Sequence, residues 1–380
     1  MNKGIRVIDY LYIETEQALA DLCQQYARAE FLAIDTEFVR ERTYHAALGL
    51  IQAYDGETLA LIDPVAIDDL SSFWHLLTLP SLTKVIHAGS EDFEVFRHNA
   101  SVTLTPLFDT QVAAALAGYG VSLGYAKLIN EFCNIELDKG ESRTNWLARP
   151  LSESQLKYAA NDVAYLYQVY KPLVSALEEQ DKLSLCLEEC RRLAEKTNEK
   201  PADEKYFDIS NAWQLNPQQL AVLKELAQWR QMEAIKRNLA QGFILKDNEL
   251  FAIAKACPKS GNGLRAIDNI HPMVVKRHGK KIVSIVVAAL ELDVLPTPLT
   301  RLIDYPAYKK TFKAIKGLVE QTAEKSGIPK EIIASKKLIH EVLSYYWKPE
   351  FQEKQLPAPV LLTGWRKQLL AEKVLPLIKQ

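Results

Sequence analysis

Three short apolar runs open the chain: FLAIDTEF (31–38), ALGLIQAYD (47–55) and TLALIDP (58–64), with Asp55 and Gly56 as turn residues between the last two. Runs of this length, bounded by turn residues, predict strands, and the Asp-Gly pair predicts a hairpin. A fourth run, TKVIHAG (83–89), leads into SEDFEVFRHN (90–99), whose spacing is helical behind Ser90 as N-cap candidate. FDTQVAAALAGYG (108–120) predicts a helix capped by Asp109, and SLGYAKLINEFC (122–133) another. The stretch 152–180 predicts a long amphipathic helix started by Ser152, which Pro172 bends or divides. Strands first and helices after, with at least one strand-helix-strand crossover, make an α/β domain around a mixed sheet.

Beyond this region the pattern changes. EKTNEKPADEKYFD (195–208) is polar and reads as a linker, and nearly everything after it has helical period. Three prolines in LPTPLTRLIDYP (295–306) make a second break. The expected domains are therefore 1–200, 209–294 and 300–380, the last two all-helical; a chain of 380 residues exceeds one ordinary core.

Composition narrows the class. At 48% hydrophobic and 25% charged residues the chain reads as globular and not fibrous or disordered. The N-terminus lacks the basic-then-apolar pattern of a signal peptide, and the longest apolar run, IVSIVVAALEL (282–292), is too short to span a bilayer, so a cytoplasmic location without a membrane partner is expected. Five cysteines at irregular spacing match neither a zinc site nor a disulfide framework and predict plain core or half-exposed thiols. The net charge of −2 hides an asymmetry: residues 1–200 hold 18 Lys and Arg against 30 Asp and Glu, residues 201–380 hold 28 against 18. A basic module attracts polyanions and an acidic one repels them unless cations are bound, although two differently solvated surfaces give the same count.

Asp35 and Glu37 are the first residues that point to chemistry. They stand at i and i+2 on a predicted strand, so their side chains leave one face. Two carboxylates this close repel each other at a sheet end, and a divalent cation turns that repulsion into binding. Oxygen ligands without His or Cys nearby favour Mg²⁺ or Mn²⁺ over zinc. A lone Asp-x-Glu is equally at home on a solvated strand end, so further carboxylates must converge on it. Asp92 lies near the start of a helix after a strand, and Asp162 sits one helical turn beyond Tyr158 on the same face.

Taken in order, IDTEF, HAGSEDFEVF and YAANDVAYL resemble the three exonuclease motifs of the DEDD superfamily, in the subgroup whose third motif is Tyr-x-x-x-Asp. The resemblance extends along essentially the whole chain to the ribonuclease D family, through LFDTQVAAALAG, LDKGESRTNWLARPLSESQLKYAANDVAYL and the basic helical region. LAQWRQMEA, and less closely ASKKLI and TGWRKQLLAE, resemble HRDC-type helical domains, the second more divergent. The resemblance implies an α/β ribonuclease-H-like exonuclease domain, a mixed sheet flanked by helices, followed by two all-α HRDC-like domains. It implies Asp35, Glu37, Asp92 and Asp162 as ligands of two divalent cations, with Tyr158 orienting or helping to deprotonate the attacking water. It further implies 3′–5′ hydrolysis of structured RNA with a 3′ extension, such as tRNA precursors, releasing 5′-mononucleotides.

Other residues remain open between two roles. His87 either touches the terminal nucleotide or makes a structural hydrogen bond, and Phe38 either meets a base or packs in the core. Lys139, Arg143 and Arg149 lie in the loop before the third motif, where they reach the phosphate chain or serve as ordinary surface charges. Trp146 is expected to be a packing anchor and Asp109 a helix cap. Lys276, Arg277, Lys280 and Lys281 form a basic cluster that either contacts RNA or marks a solvated turn. Two competing functions keep the same motifs: a DNA exonuclease, and a nucleic-acid-binding scaffold whose nuclease site has decayed.

Overall fold

In the computed structural model, residues 9–137, 140–196, 200–352 and 356–379 are described. The chain divides into two compact units, one of residues 1–40, 46–197 and 327–332 and the other of 41–45, 198–326 and 333–380.

The first unit begins with β1 (Leu11–Ile13) and α1 (Glu16–Tyr26), followed by β2 (Phe31–Val39), β3 (Ala47–Tyr54) and β4 (Leu59–Ile62). After these come α2 (Ser71–Leu77), β5 (Thr83–Ile86), α3 (Ser90–Ala100) and β6 (Leu107–Asp109). Four helices complete the series: α4 (Thr110–Ala117), α5 (Tyr125–Cys133), α6 (Glu153–Glu179) and α7 (Leu183–Glu195). The sheet order is β1-β4-β3-β2-β5-β6, with β2 to β4 antiparallel and the β1-β4, β2-β5 and β5-β6 pairs parallel. The predicted mixed sheet and hairpin are both present. Asp55 Oδ1 accepts the Glu57 and Thr58 amides, and Gly56 turns the chain at φ 98°. The short edge strands β1 and β6 and the helices α1, α2 and α7 gave no separate signal in the sequence.

Helix α6 covers β2, β3 and β4. It starts with a capping box, in which Ser152 Oγ accepts the Gln155 amide and the Gln155 side chain accepts the Ser152 amide. It runs unbroken through Pro172, so the proline does not divide it. Ser90 is not an N-cap; Gly89 holds that position and Ser90 is the first helical residue. Cys186 and Cys190 are buried free thiols, as packing predicts.

The second unit is helical: α8 (Pro217–Arg237), α9 (Gln241–Ile244), α10 (Asp247–Ala256), α11 (Gly261–Arg265), α12 (Pro272–Leu290) and α13 (Tyr308–Ser326), with further helices at Lys336–Trp347 and Glu372–Ile378. Leu220, Leu223, Leu226, Leu250, Ile253, Ile282 and Val286 form one core. Tyr206 and Ile209 join it, so the last part of the expected linker belongs to this helical core. Their apolar surface outweighs the polar composition around them. Among the described residues no helix is long and apolar enough to cross a membrane.

Candidate active site

The site forms where β2 leaves the core. Phe31 to Ile34 are buried, whereas Asp35 and Glu37 keep part of their surface open on one face. Asp35 faces Gln52 and Glu37 faces Leu50 across the β2-β3 ladder, and a register shift follows between Glu37 and Phe38. The bulge skips Gly49 on β3, and pairing resumes at Phe38 and Leu48 directly beyond the two carboxylates. Across from them α6 brings Asp162, 7% exposed. One carboxylate oxygen from each of Asp35, Glu37 and Asp162 lies within 4.8 Å of the other two.

Asp92, also 7% exposed, stands in the first turn of α3, outside this trio. Its Oδ1 accepts a hydrogen bond from Thr36 Oγ1, a contact that ties the first and second motifs together. Spacing alone did not single out Thr36, because it points away from the face that holds its acidic neighbours. Tyr125 was also missed: its hydroxyl donates to the Asp162 carbonyl, which anchors α6 at the third motif.

Electrostatics follow from this crowding. Burial lifts the Asp35 carboxyl well above its usual range, and Asp92, Asp162 and Glu37 add to the rise. Glu37 is pushed up to about 9 by burial and by Asp162 and Asp92. Burial raises Asp162 to about 7 and Asp92 to about 6, against hydrogen bonds from Tyr158 and Thr36 that favour the charged forms. Burial, then the nearby carboxylates, keeps the Tyr158 phenol neutral. Such a cluster of oxygen donors, held close and unable to ionise together, fits divalent cations. A cleft of about 370 Å³ beside it is lined by residues 121–127 with Ser142, Tyr158 and Asp162. That is room for a small ligand or one end of a chain.

The second-tier residues divide. His87 is half-buried; its Nδ1 meets Thr110 Oγ1 at 2.9 Å, its Nε2 is buried, and burial lowers its pKa. Phe38 is half-buried just past the bulge, and Arg143 is exposed. Lys139 lies outside the described residues. Trp146 is 1% exposed and is the expected packing anchor. A side chain at Gly49 would meet the Trp146 carbonyl at 2.7 Å, so glycine is needed there. Asp109 accepts the Gln111 and Val112 amides as the N-cap of α4. Lys276, Arg277, Lys280 and Lys281 lie inside α12, not in a turn. All four are exposed while His278 and Gly279 face inward, so they make a basic helix face.

Arg149 is a correction to the phosphate-binding expectation. Its Nε and Nη2 grip Asp63 at 2.6 Å each, Nη2 also donates to the Gly49 carbonyl at 2.6 Å, and Nη1 donates to the Trp146 and Ala148 carbonyls at 2.9 Å. Burial pushes Asp63 up, but the hydrogen bonds from Arg149 and Tyr12 outweigh it and leave the carboxyl below its usual range. The Asp63 side chain is only 2% exposed, so removing its partner leaves a buried charge. Arg149→Met is expected to cost about 3 kcal/mol in urea unfolding, with RNA affinity of the folded protein unchanged. Weaker RNA binding at full stability would return Arg149 to the phosphate chain.

Known proteins place this geometry. The family model described as 3′-5′ exonuclease matches residues 10–178, the HRDC domain matches 219–286, and the ribonuclease D C-terminal HRDC domain matches 306–374. The chain is 46% identical over 366 residues to ribonuclease D of Shewanella sp. (strain ANA-3), covering 96% of this chain and 93% of that protein. It is 42% identical over 376 residues to ribonuclease D of Escherichia coli (strain K12), covering 98% and 99%. The crystal structure of E. coli RNase D, described as an exoribonuclease involved in structured RNA processing, superposes with a TM-score of 0.94 at 42% identity, covering 98% of this chain and 99% of that one. With a divalent-metal-dependent exonuclease fold, its acidic cluster and relatives alike over nearly their full length, the chain belongs to the ribonuclease D family of 3′–5′ exoribonucleases.

Proposed function

We propose that this exoribonuclease trims the 3′ ends of structured RNAs such as tRNA precursors in the cytoplasm, releasing 5′-mononucleotides at a site that holds two Mg²⁺ or Mn²⁺ ions. The observation that supports it most is the approach of Asp35, Glu37 and Asp162 to within 4.8 Å at the rim of a cleft. Asp92 completes the ligand set in this reading. When bound, such ions supply water activation and stabilisation of the departing 3′ oxygen.

The chain's own residues do the rest. β2 pairs with β3 through Asp35 and Glu37 and with β5 at Phe31 to Ala33 just before them, so the two carboxylates leave a strand with little freedom, which sets where the terminal phosphodiester rests. Tyr158, a neutral phenol one turn before Asp162, orients the attacking water through its hydroxyl. His87 and Phe38 are candidate contacts to the last nucleotide, and Lys139 and Arg143 to the preceding phosphates. Lys276, Arg277, Lys280 and Lys281 form a salt-sensitive phosphate contact on α12. In this reading residues 1–200 are the exonuclease domain, and 209–294 and 300–380 are two HRDC-type domains.

Incubation of tRNA with a 3′ extension, and of a matched DNA, with and without Mg²⁺ tests the assignment. Mg²⁺-dependent shortening of the RNA to its mature end, with 5′-mononucleotides as product, is expected. Oligonucleotide products, equal activity in EDTA, or a preference for the DNA would overturn it.

A further inference from the structure

We propose that the adjacent side chains of Asp109 and Thr110 form a clamp that positions Asp92 for metal binding, a role beyond capping α4; the inference rests on the metal-site reading above. Three residues, His87 to Gly89, link β5 to α3, and this dipeptide holds all three together with Ile86, the last residue of β5. The Asp109 carboxylate accepts the amides of Ala88 and Gly89 at 3.1 Å each, in addition to the Gln111 amide at 2.8 Å and the Val112 amide at 3.4 Å. The Thr110 hydroxyl donates to the Ile86 carbonyl at 3.2 Å and meets His87 Nδ1 at 2.9 Å. A helix cap needs only two of these bonds.

The linking turn has little freedom of its own. Ala88 sits at φ 55°, in the left-handed region that an alanine leaves unless its surroundings hold it there. At Gly89 an added side chain would come within 2.9 Å of Ile86 and Phe93, so the turn packs closely against β5 and α3 and leaves no room for a larger residue. Asp92 follows three residues later in the first turn of α3. The direction in which that turn leaves the sheet therefore fixes where its carboxylate lies. Asp109 and Thr110 are both fully enclosed, 3% and 0% exposed, so the clamp is not exchanged with water. Thr36 holds Asp92 from β2, and the clamp sets the path of α3 from β6.

The test is calorimetric titration of the full chain with Mn²⁺ alone, at a temperature where every variant is folded. Asp92→Asn serves as reference, and melting of the metal-free proteins is the second readout. Asp109→Asn keeps an N-cap acceptor but loses one of two carboxylate oxygens, and is expected to weaken Mn²⁺ binding about 10-fold. Thr110→Val, which leaves the cap intact, is expected to weaken it about 3-fold. Weakening by Thr110→Val alone supports the clamp even where Asp109→Asn fails to fold. If Asp92→Asn weakens binding while the folded clamp variants bind as the parent does, Asp109 is only a cap and the proposal falls. If Asp92→Asn itself binds Mn²⁺ as the parent does, the metal-site reading fails and takes the clamp with it.

Discussion

Asp162→Asn is expected to lower the rate of 3′-end hydrolysis by about 10³-fold or more, roughly 4 kcal/mol in the barrier, while leaving RNA affinity within about twofold. The substitution conserves volume on a helix whose buried face packs against the sheet, so α6 should keep its place. It removes one of the three carboxylates that approach within 4.8 Å. The same change should make the metal-free protein more stable, because Asp162 raises the pKa of both Asp35 and Glu37. Removing that repulsion favours the folded state at every pH where Asp35 or Glu37 is ionised. Hydrolysis assays with filter binding, and urea unfolding in EDTA, read the effects separately. Hydrolysis near the parent rate would remove Asp162 from the site.

That opposition of activity and stability explains why the site was partly legible in the sequence. Asp35 and Glu37 stood out because the strand period puts two carboxylates on one face of an otherwise apolar run. Asp162 and Tyr158 followed from helical spacing and the third motif. The strands β2 to β5 were legible for the same reason, their runs being short, apolar and bounded by turn residues.

What stayed hidden depends on partners far apart in the chain. Asp92 was placed among converging ligands, yet its hydrogen bond to Thr36 crosses 56 positions and leaves it outside the closest trio. Arg149 looked like a loop charge because Asp63, its partner, lies 86 positions earlier. Ser90 lost its expected cap because the turn before it is bound by Asp109, 20 positions away from Gly89. Asp109 was read correctly as a cap, but its bonds to Ala88 and Gly89 had no local signature. Period reports which face a side chain leaves, and only the assembled fold determines what it meets there.

Without divalent ions, thermal stability should fall as pH rises, and Mg²⁺ should reverse the trend. The sign follows from the site. Carboxylates with ordinary values of 3.8 and 4.5 are raised in the folded state, Asp92 to about 6, Asp162 to about 7 and Glu37 to about 9. Protonated forms are thus favoured by folding; their stabilisation is complete below about pH 4 and is lost as pH rises through 6, 7 and 9. A divalent cation binds the deprotonated groups and releases protons, so its affinity climbs over the same window. At about 100 times its Kd, Mg²⁺ adds roughly 2.7 kcal/mol, on the order of 5–10 °C for a unit of this size. Melting at pH 5.5 and 8.5 with and without Mg²⁺ is expected to show that increment at pH 8.5 and almost none at pH 5.5. Histidines such as the buried His278 and the half-buried His340, whose pKa values burial lowers, pull the metal-free trend the other way. Glu37→Gln is therefore the necessary reference: it retains the histidines, removes the carboxylate raised to about 9, and should flatten the alkaline loss. An equal Mg²⁺ increment at both pH values, or an unchanged alkaline slope in Glu37→Gln, would mean that these carboxylates do not titrate as a metal-binding cluster.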